Sequence, residues 1–374
     1  MHAPSSGISE QDADQIGLAI GDLGLGYTPM RDFNYSSNLD TVVFALSKSA
    51  KCPDDPKIAE AALSCAARVA ASHPAMPQLM SEAGICQAIM KIMTHHLAHG
   101  PSIMHASIAI SNMTINDPGI SLLFGKISCC DVLPRCLRSH LSDGEVAYST
   151  CDAIGVLARL KENRVLFCTS GACEVVVLAM QKCLKHPKVV EKACMAAADL
   201  GTDHLENVSK LGVAGICKVL PLAMAEHPDK PSVALQVFRL VHMSSVDADN
   251  RAQLGAPASC SALVRTLQLN MDSSEVIAQG CRAMVCVLIG SAINRTTIAS
   301  VGACEVVRDI IQRYHSDPTV AGPACGAIFS LVAGNLESKA KLKGTLPLMQ
   351  RVLADPSMPD SVKKEAREAL VRLQ

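Results

Sequence analysis

The hexapeptide GACEVV occupies residues 171–176 and returns letter for letter at 302–307, an interval of 131 residues or three steps of about 44. A repeat of that length constrains the fold more than any other feature of the chain. Units of this kind stack on their neighbours, so the core grows with each copy instead of closing on itself. Laid out in this register, the sequence shows a cysteine column at Cys86, Cys130, Cys173, Cys217, Cys260 and Cys304, in steps of 44, 43, 44, 43 and 44. A second column holds Cys151, Cys194, Cys281 and Cys325, with Phe238 in the gap. A third holds Asn163, Asn207, Asn250 and Asn294, each eight or nine residues before a Gly-Ala junction or its equivalent.

Each unit reads as three helices. In 161–202, KENRVLFCTS is a short helix closed by Gly171, and ACEVVVLAMQKCLKH is a second with apolar residues at helical spacing. His186-Pro187 breaks that helix. A third helix then carries the stripe Val189, Val190, Ala193, Cys194, Ala197 and Leu200, with Gly201 as its stop. Third helices are expected again at 57–70, 102–113, 145–160, 232–243, 275–290 and 319–334, and the chain closes with helices at 346–353 and 362–374. The last is the most charged, as a capping element with a wet outer face should be.

Composition fits this reading. The 374 residues exceed one ordinary compact core but suit a solenoid. With no Trp and 3% aromatics against 49% hydrophobic residues, the core must be built from Ala, Val, Leu, Ile, Met and Cys. The 34 basic and 35 acidic residues leave a net charge of −1, without the basic footprint of a nucleic-acid binder. Seventeen cysteines, an odd count on apolar helix faces with no signal peptide in front, read as reduced, buried thiols of a cytoplasmic rather than secreted protein. No apolar run approaches the roughly 20 residues of a membrane span. Residues 1–34 read as a leader with a short capping helix at 9–20 and Ser9 as its cap, and 35–374 as the repeat domain.

A unit of about 43 residues with three helices, an upstream Asn, a Gly-Ala junction and an Ala-rich final helix resembles the armadillo repeat. Asn163 with Gly171-Ala172, and Asn294 with Gly302-Ala303, fall where that pattern has them, and SIAISNM (107–113) is similar to its third-helix ending. The resemblance covers about 35–374 and implies an all-α, right-handed α-solenoid of about eight armadillo-like repeats, with the two-helix HEAT repeat as the alternative. It also implies a concave groove lined by third helices. Well-known members of that family hold extended peptides there with a ladder of Asn, and with Trp one turn earlier. In this chain the Asn position reads Arg68, Asn112, Val156, Asp199, His242 or Met243, Cys286 and Ser330. The Trp position reads Ser64, Ile108, Asp152, Met195, Arg239, Arg282 and Gly326. The superhelix and its groove are therefore expected, without a sequence-general peptide grip.

No catalytic or metal motif competes with a binding role. There is no G-x-S-x-G, H-E-x-x-H, Walker A or C-x2-C, so no enzyme activity, cofactor, metal or small-molecule substrate is expected. His99, His140, His186, His227 and His315 read as exposed turn residues near helix C-termini, and the Asn column as satisfying backbone groups at helix starts. The candidate partner contacts are the polar residues that interrupt the third-helix stripes: Arg68, Asn112, Asp152, Asp199, Arg239, His242 and Arg282. Facing a groove, they would alternate basic, acidic and basic. The expected function is a non-enzymatic adaptor or scaffold that binds a protein partner along the groove. The alternative is a structural subunit of a large cytoskeletal or ciliary assembly.

Overall fold

The register of the cysteines becomes a register of helices. A computed structural model describes residues 35–374 apart from Cys52, so the leader and its expected helix at 9–20 lie outside the described residues. The long helices are Pro56–Ser72, Gly100–Thr114, Gly144–Ala158, Pro187–Gly201, Pro231–Ser244, Ser274–Leu288, Pro318–Val332 and Asp360–Leu373. Their starts are 44, 44, 43, 44, 43, 44 and 42 residues apart. From Met76 onward each long helix follows a short helix and a second one, as in Lys161–Thr169 and Ala172–Lys182, which is the three-helix pattern in seven copies. The first long helix is preceded, among the described residues, by Tyr35–Lys51 alone. No strand occurs among the described residues.

Local chemistry explains these boundaries. Pro187 does more than break the preceding helix: it occupies the first turn of the long one, where its missing N–H costs nothing. Asp55, Asp143, Ser273 and Asp317 cap other long helices by accepting from free first-turn amides. Gly201 is the last helical residue, and the chain turns extended at Thr202. The junction glycines are needed for their backbone: Gly171 and Gly302 sit at φ +78° and +94°, a region that a Cβ disfavours. Ser128 takes the same left-handed conformation at φ +67° in their column.

The described residues divide into two compact units, one ending at Lys182 and one running from Cys183 to Gln374. In the first, the long helices at 56–72, 100–114 and 144–158 stack in order. In the second, those at 187–201, 231–244, 274–288, 318–332 and 360–373 do the same. Both cysteine columns are buried in these stacks. Where Phe238 replaces a cysteine, the next long helix carries Gly280, and a Cβ there would collide with Leu267 and the Phe238 ring. One oversized side chain is matched by a missing one, which keeps the packing dense.

Two ladders of side-chain hydrogen bonds tie repeat to repeat. The Asn column forms the first. The Asn163 amide donates to Ser121 O (3.0 Å) in the preceding repeat and to Leu157 O (3.1 Å) at the end of the preceding long helix. Asn250 donates to Val208 O (3.1 Å), and Asn294 to Arg251 O (3.1 Å) and Val287 O (2.8 Å). Asn207 donates to Leu200 O (2.9 Å). This corrects the helix-start reading: Asp247 and Ser291 cap the short helices, accepting from the backbone N–H groups of Asn250 and Asn294, while the Asn side chains reach backward. The arginines that follow three of them finish the same helix ends, Arg251 on Ser245 O (2.8 Å), Arg295 on Leu288 O (3.2 Å) and Arg164 on Ala158 O (3.1 Å). A guanidinium there meets the negative end of the helix dipole. Gly125, Gly212 and Gly255 make room for Asn163, Asn250 and Asn294, since a Cβ on any of them would run into the amide.

The second ladder runs along the turns before the long helices. His140 Nε2 donates to Leu97 O (2.8 Å) and His227 Nε2 to Leu184 O (2.8 Å). Asn270 continues the row to Pro228 O (2.7 Å), and Tyr314 to Met271 O (2.6 Å). Each acceptor lies 42 or 43 residues upstream. The expectation of exposed turn histidines is therefore corrected at four of the five: His227 is buried and His140 half-buried because their rings bridge repeats, and His99 and His315 are half-buried as well. His99 instead caps its own helix, accepting from Ser102 N at 3.3 Å.

Candidate partner-binding face

Each long helix buries one face and leaves a row of polar residues at least partly exposed. In the first unit that row includes Arg68, His105, Asn112 and Asp152, all half-buried. Arg68 has no ion pair among the described residues. Asn112 is already engaged, donating its amide to Ala67 O (3.0 Å) of the preceding long helix. Burial lowers the pKa of His105 against the opposing pull of Glu60, so its ring stays neutral near pH 7.

In the second unit the expected alternation of charge is partly cancelled. Asp199 is only 6% exposed, and Arg239 on the next long helix holds it at 2.8 Å. Those two positions thus form one neutral rung between repeats. Arg282, one repeat further on, is exposed and has no hydrogen bond or ion pair among the described residues. His242 is half-buried nearby, and its pKa is lowered first by burial and then by Arg282.

Arg282 and His242 share a cavity of about 380 Å³ with residues that sequence reasoning passed over. Its floor is the stretch Gly322, Pro323 and Gly326 in the long helix Pro318–Val332, and Val285 and Val362 supply apolar walls. Glu365, from the closing helix, completes the rim. Burial raises the Glu365 carboxyl above its ordinary value, Arg282 works against that shift, and Glu368 adds to it. Cys286 also borders the cavity and is the only one of the 16 described cysteines that is not buried. The sequence signal for the cavity was G-P-x-x-G at 322–326, where the other long helices carry side chains at both glycine positions: Glu60, Met104, Tyr148, Glu191, Leu235 and Ala278 at the first, and Ser64, Ile108, Asp152, Met195, Arg239 and Arg282 at the second.

The opposite kind of surface occurs on the second helices. Between Ile216–Glu226 and Pro257–Leu269 lies an apolar groove of about 610 Å³, with Leu222 54% exposed at its edge. Among the described residues no group of three or more His, Cys, Asp or Glu is placed to hold a metal ion, and no single helix is long and apolar enough to cross a membrane.

Solved structures share this fold. An engineered protein matches with a TM-score of 0.70 at 17% identity, over 98% of this chain and 96% of its own. A chain from a study of the phosphorylation switch that controls the interaction between cadherin and β-catenin matches with a TM-score of 0.68 at 14% identity, over 97% of this chain and 80% of its own. A designed armadillo repeat protein in complex with the peptide (KR)4 matches with a TM-score of 0.55 at 21% identity, over 65% of this chain and 99% of its own. The fold is an armadillo-like α-solenoid.

At these identities the armadillo-like match concerns the fold alone. No family model matches the sequence. One curated relative, an orotidine 5'-phosphate decarboxylase of Nitrosococcus oceani, is 34% identical over 105 residues, which is 26% of this chain. The chain spans under half of that relative, 43% of its length, and the armadillo-like neighbours account for nearly the whole chain.

Proposed function

We propose that this chain is a non-enzymatic adaptor of the cytoplasm that binds a protein partner along the exposed face of its long helices. The observation that carries the reading is Arg282: an exposed guanidinium with no hydrogen bond or ion pair among the described residues, set beside an open cavity on that face. An unpaired charge at the edge of a concave apolar site is available to orient a ligand. The armadillo-like neighbours that engage cadherin or a (KR)4 peptide support a protein or peptide ligand. Sixteen free thiols, fifteen of them buried, support a reducing compartment.

A second reading, a structural subunit held by its outer surface, is favoured by the apolar groove at Leu222. Affinity purification of the tagged full chain from cells, followed by mass spectrometry, separates the two. Arg282→Glu and Arg68→Glu should each deplete the captured partner several-fold, while Leu222→Glu leaves it in place. Loss with Leu222→Glu alone would replace the adaptor reading with the structural one.

A further inference from the structure

The cavity beside Arg282 has a more specific complementarity. Gly322 and Gly326 are one turn apart on Pro318–Val332, so they open a gap on one face of that helix. A Cβ built at Gly322 would lie 3.2 Å from Glu365 Oε2 and 3.3 Å from Val362 Cγ2. At Gly326 it would lie 3.6 Å from Glu365 Oε2 and 3.6 Å from Val285 Cγ2. Glu365 thus leans over the glycine floor from one side, while Arg282 stands on the long helix at the other side, Ser274–Leu288. Oppositely charged, they share one cavity, and no ion pair joins them among the described residues.

A group seated between them must offer an acceptor to the guanidinium and a donor to the carboxylate. A backbone peptide unit has one of each on opposite edges. The charges of Arg282 and Glu365 sum to zero and His242 stays neutral, so the site does not select a net charge. Val285, Pro323 and Val362 make the space below apolar, and about 380 Å³ leaves room for one large side chain. We propose that this notch receives one bulky aliphatic or aromatic side chain of an extended partner segment, whose backbone amide is held between Arg282 and Glu365. The proposal rests on the adaptor reading and adds the chemistry of the residue recognised. It also distinguishes this face from one that holds a (KR)4 peptide, because the Val285, Pro323 and Val362 walls would strip water from a lysine or arginine charge seated in the notch.

Gly326→Leu is a suitable probe. The contacts around its Cβ are ordinary, leucine favours a helix over glycine, and its longer side chain enters the notch; a circular-dichroism melt checks that the variant keeps its fold, with Gly326→Ala as the smaller substitution beside it. Random 12-residue peptides displayed on phage are panned against the wild-type full chain, and the enriched sequences are made synthetically. The expected consensus contains one Leu, Met, Phe or Tyr. Its peptide should lose at least tenfold in affinity when that residue becomes Ala, and again on Gly326→Leu, while (KR)4 does not compete. Enriched peptides that lack a shared apolar residue, or that bind Gly326→Leu equally well, overturn the notch. If those peptides still lose affinity on Arg68→Glu, the adaptor reading stands without the notch. A panning that enriches nothing overturns both.

Discussion

A side chain that reaches one repeat back works only if its target leaves space, and this couples Asn250 to Gly212 and Asn294 to Gly255. Gly212→Ala should therefore destabilise the protein by about 1–3 kcal/mol, the usual penalty for overpacking a full site. Gly144→Ala, with nothing within 4 Å of the new Cβ, serves as the control that urea denaturation should find nearly neutral. The Asp199–Arg239 rung makes an asymmetric prediction. Arg239→Ala strips a guanidinium from a carboxylate that is 6% exposed, whereas Asp199→Ala frees an arginine whose side chain is 43% exposed and can return to water. Arg239→Ala should cost more, about 1–3 kcal/mol, and a double-mutant cycle would read the coupling. Equal costs would mean that the carboxylate gains little from the contact. Cysteine columns could be read from spacing alone, because a small apolar residue at a fixed period has one use. The destinations of the Asn and His side chains could not, since the acceptors are backbone carbonyls, some 43 residues away or at the end of the preceding long helix, with no letter of their own.

Among the elements, the long helices were the most legible. The expected segments at 57–70, 232–243 and 319–334 became Pro56–Ser72, Pro231–Ser244 and Pro318–Val332, the last of these two residues shorter at its end. Proline and aspartate punctuation and the 3.6-residue stripe all point the same way there. Most of the candidate face was visible as polar interruptions of that stripe. The notch was not, because it is made of absent side chains and of a glutamate from a helix that reads as a cap. Gly326 gives the element its own test. Gly326→Ala removes backbone freedom from the unfolded chain and meets only contacts at 3.6 Å, so it should raise stability by about 0.5–1 kcal/mol. A lower urea midpoint for that variant would show the helix to be more tightly constrained than its neighbours imply.

Across the whole molecule, the buried thiols set a pH limit. Burial pushes Cys65 and Cys260 up to about 11, and Cys130, Cys136, Cys217, Cys281 and Cys325 up to about 12. In the unfolded chain these thiols ionise near 8.5–9, so above that pH the unfolded state sheds protons that the native state keeps. The stabilisation is complete below about pH 8.5 and is withdrawn as pH rises toward 11–12, by up to about 1.4 kcal/mol per thiol per pH unit. The urea midpoint should fall steeply between pH 8.5 and 10.5, and a flat profile would contradict the burial of these groups. The repeat ladders carry a different consequence, because every rung that spans two repeats has its donor in the later repeat and its acceptor in the earlier one. The stack therefore has a polarity that matches the order of synthesis. Each finished repeat presents bare carbonyls, which water serves well, and the next repeat brings the amides and imidazoles that claim them. On these two ladders, trimming from the C-terminus frees carbonyls, whereas trimming from the N-terminus strands donors already enclosed by packing, so the two ends of this chain should not tolerate shortening alike.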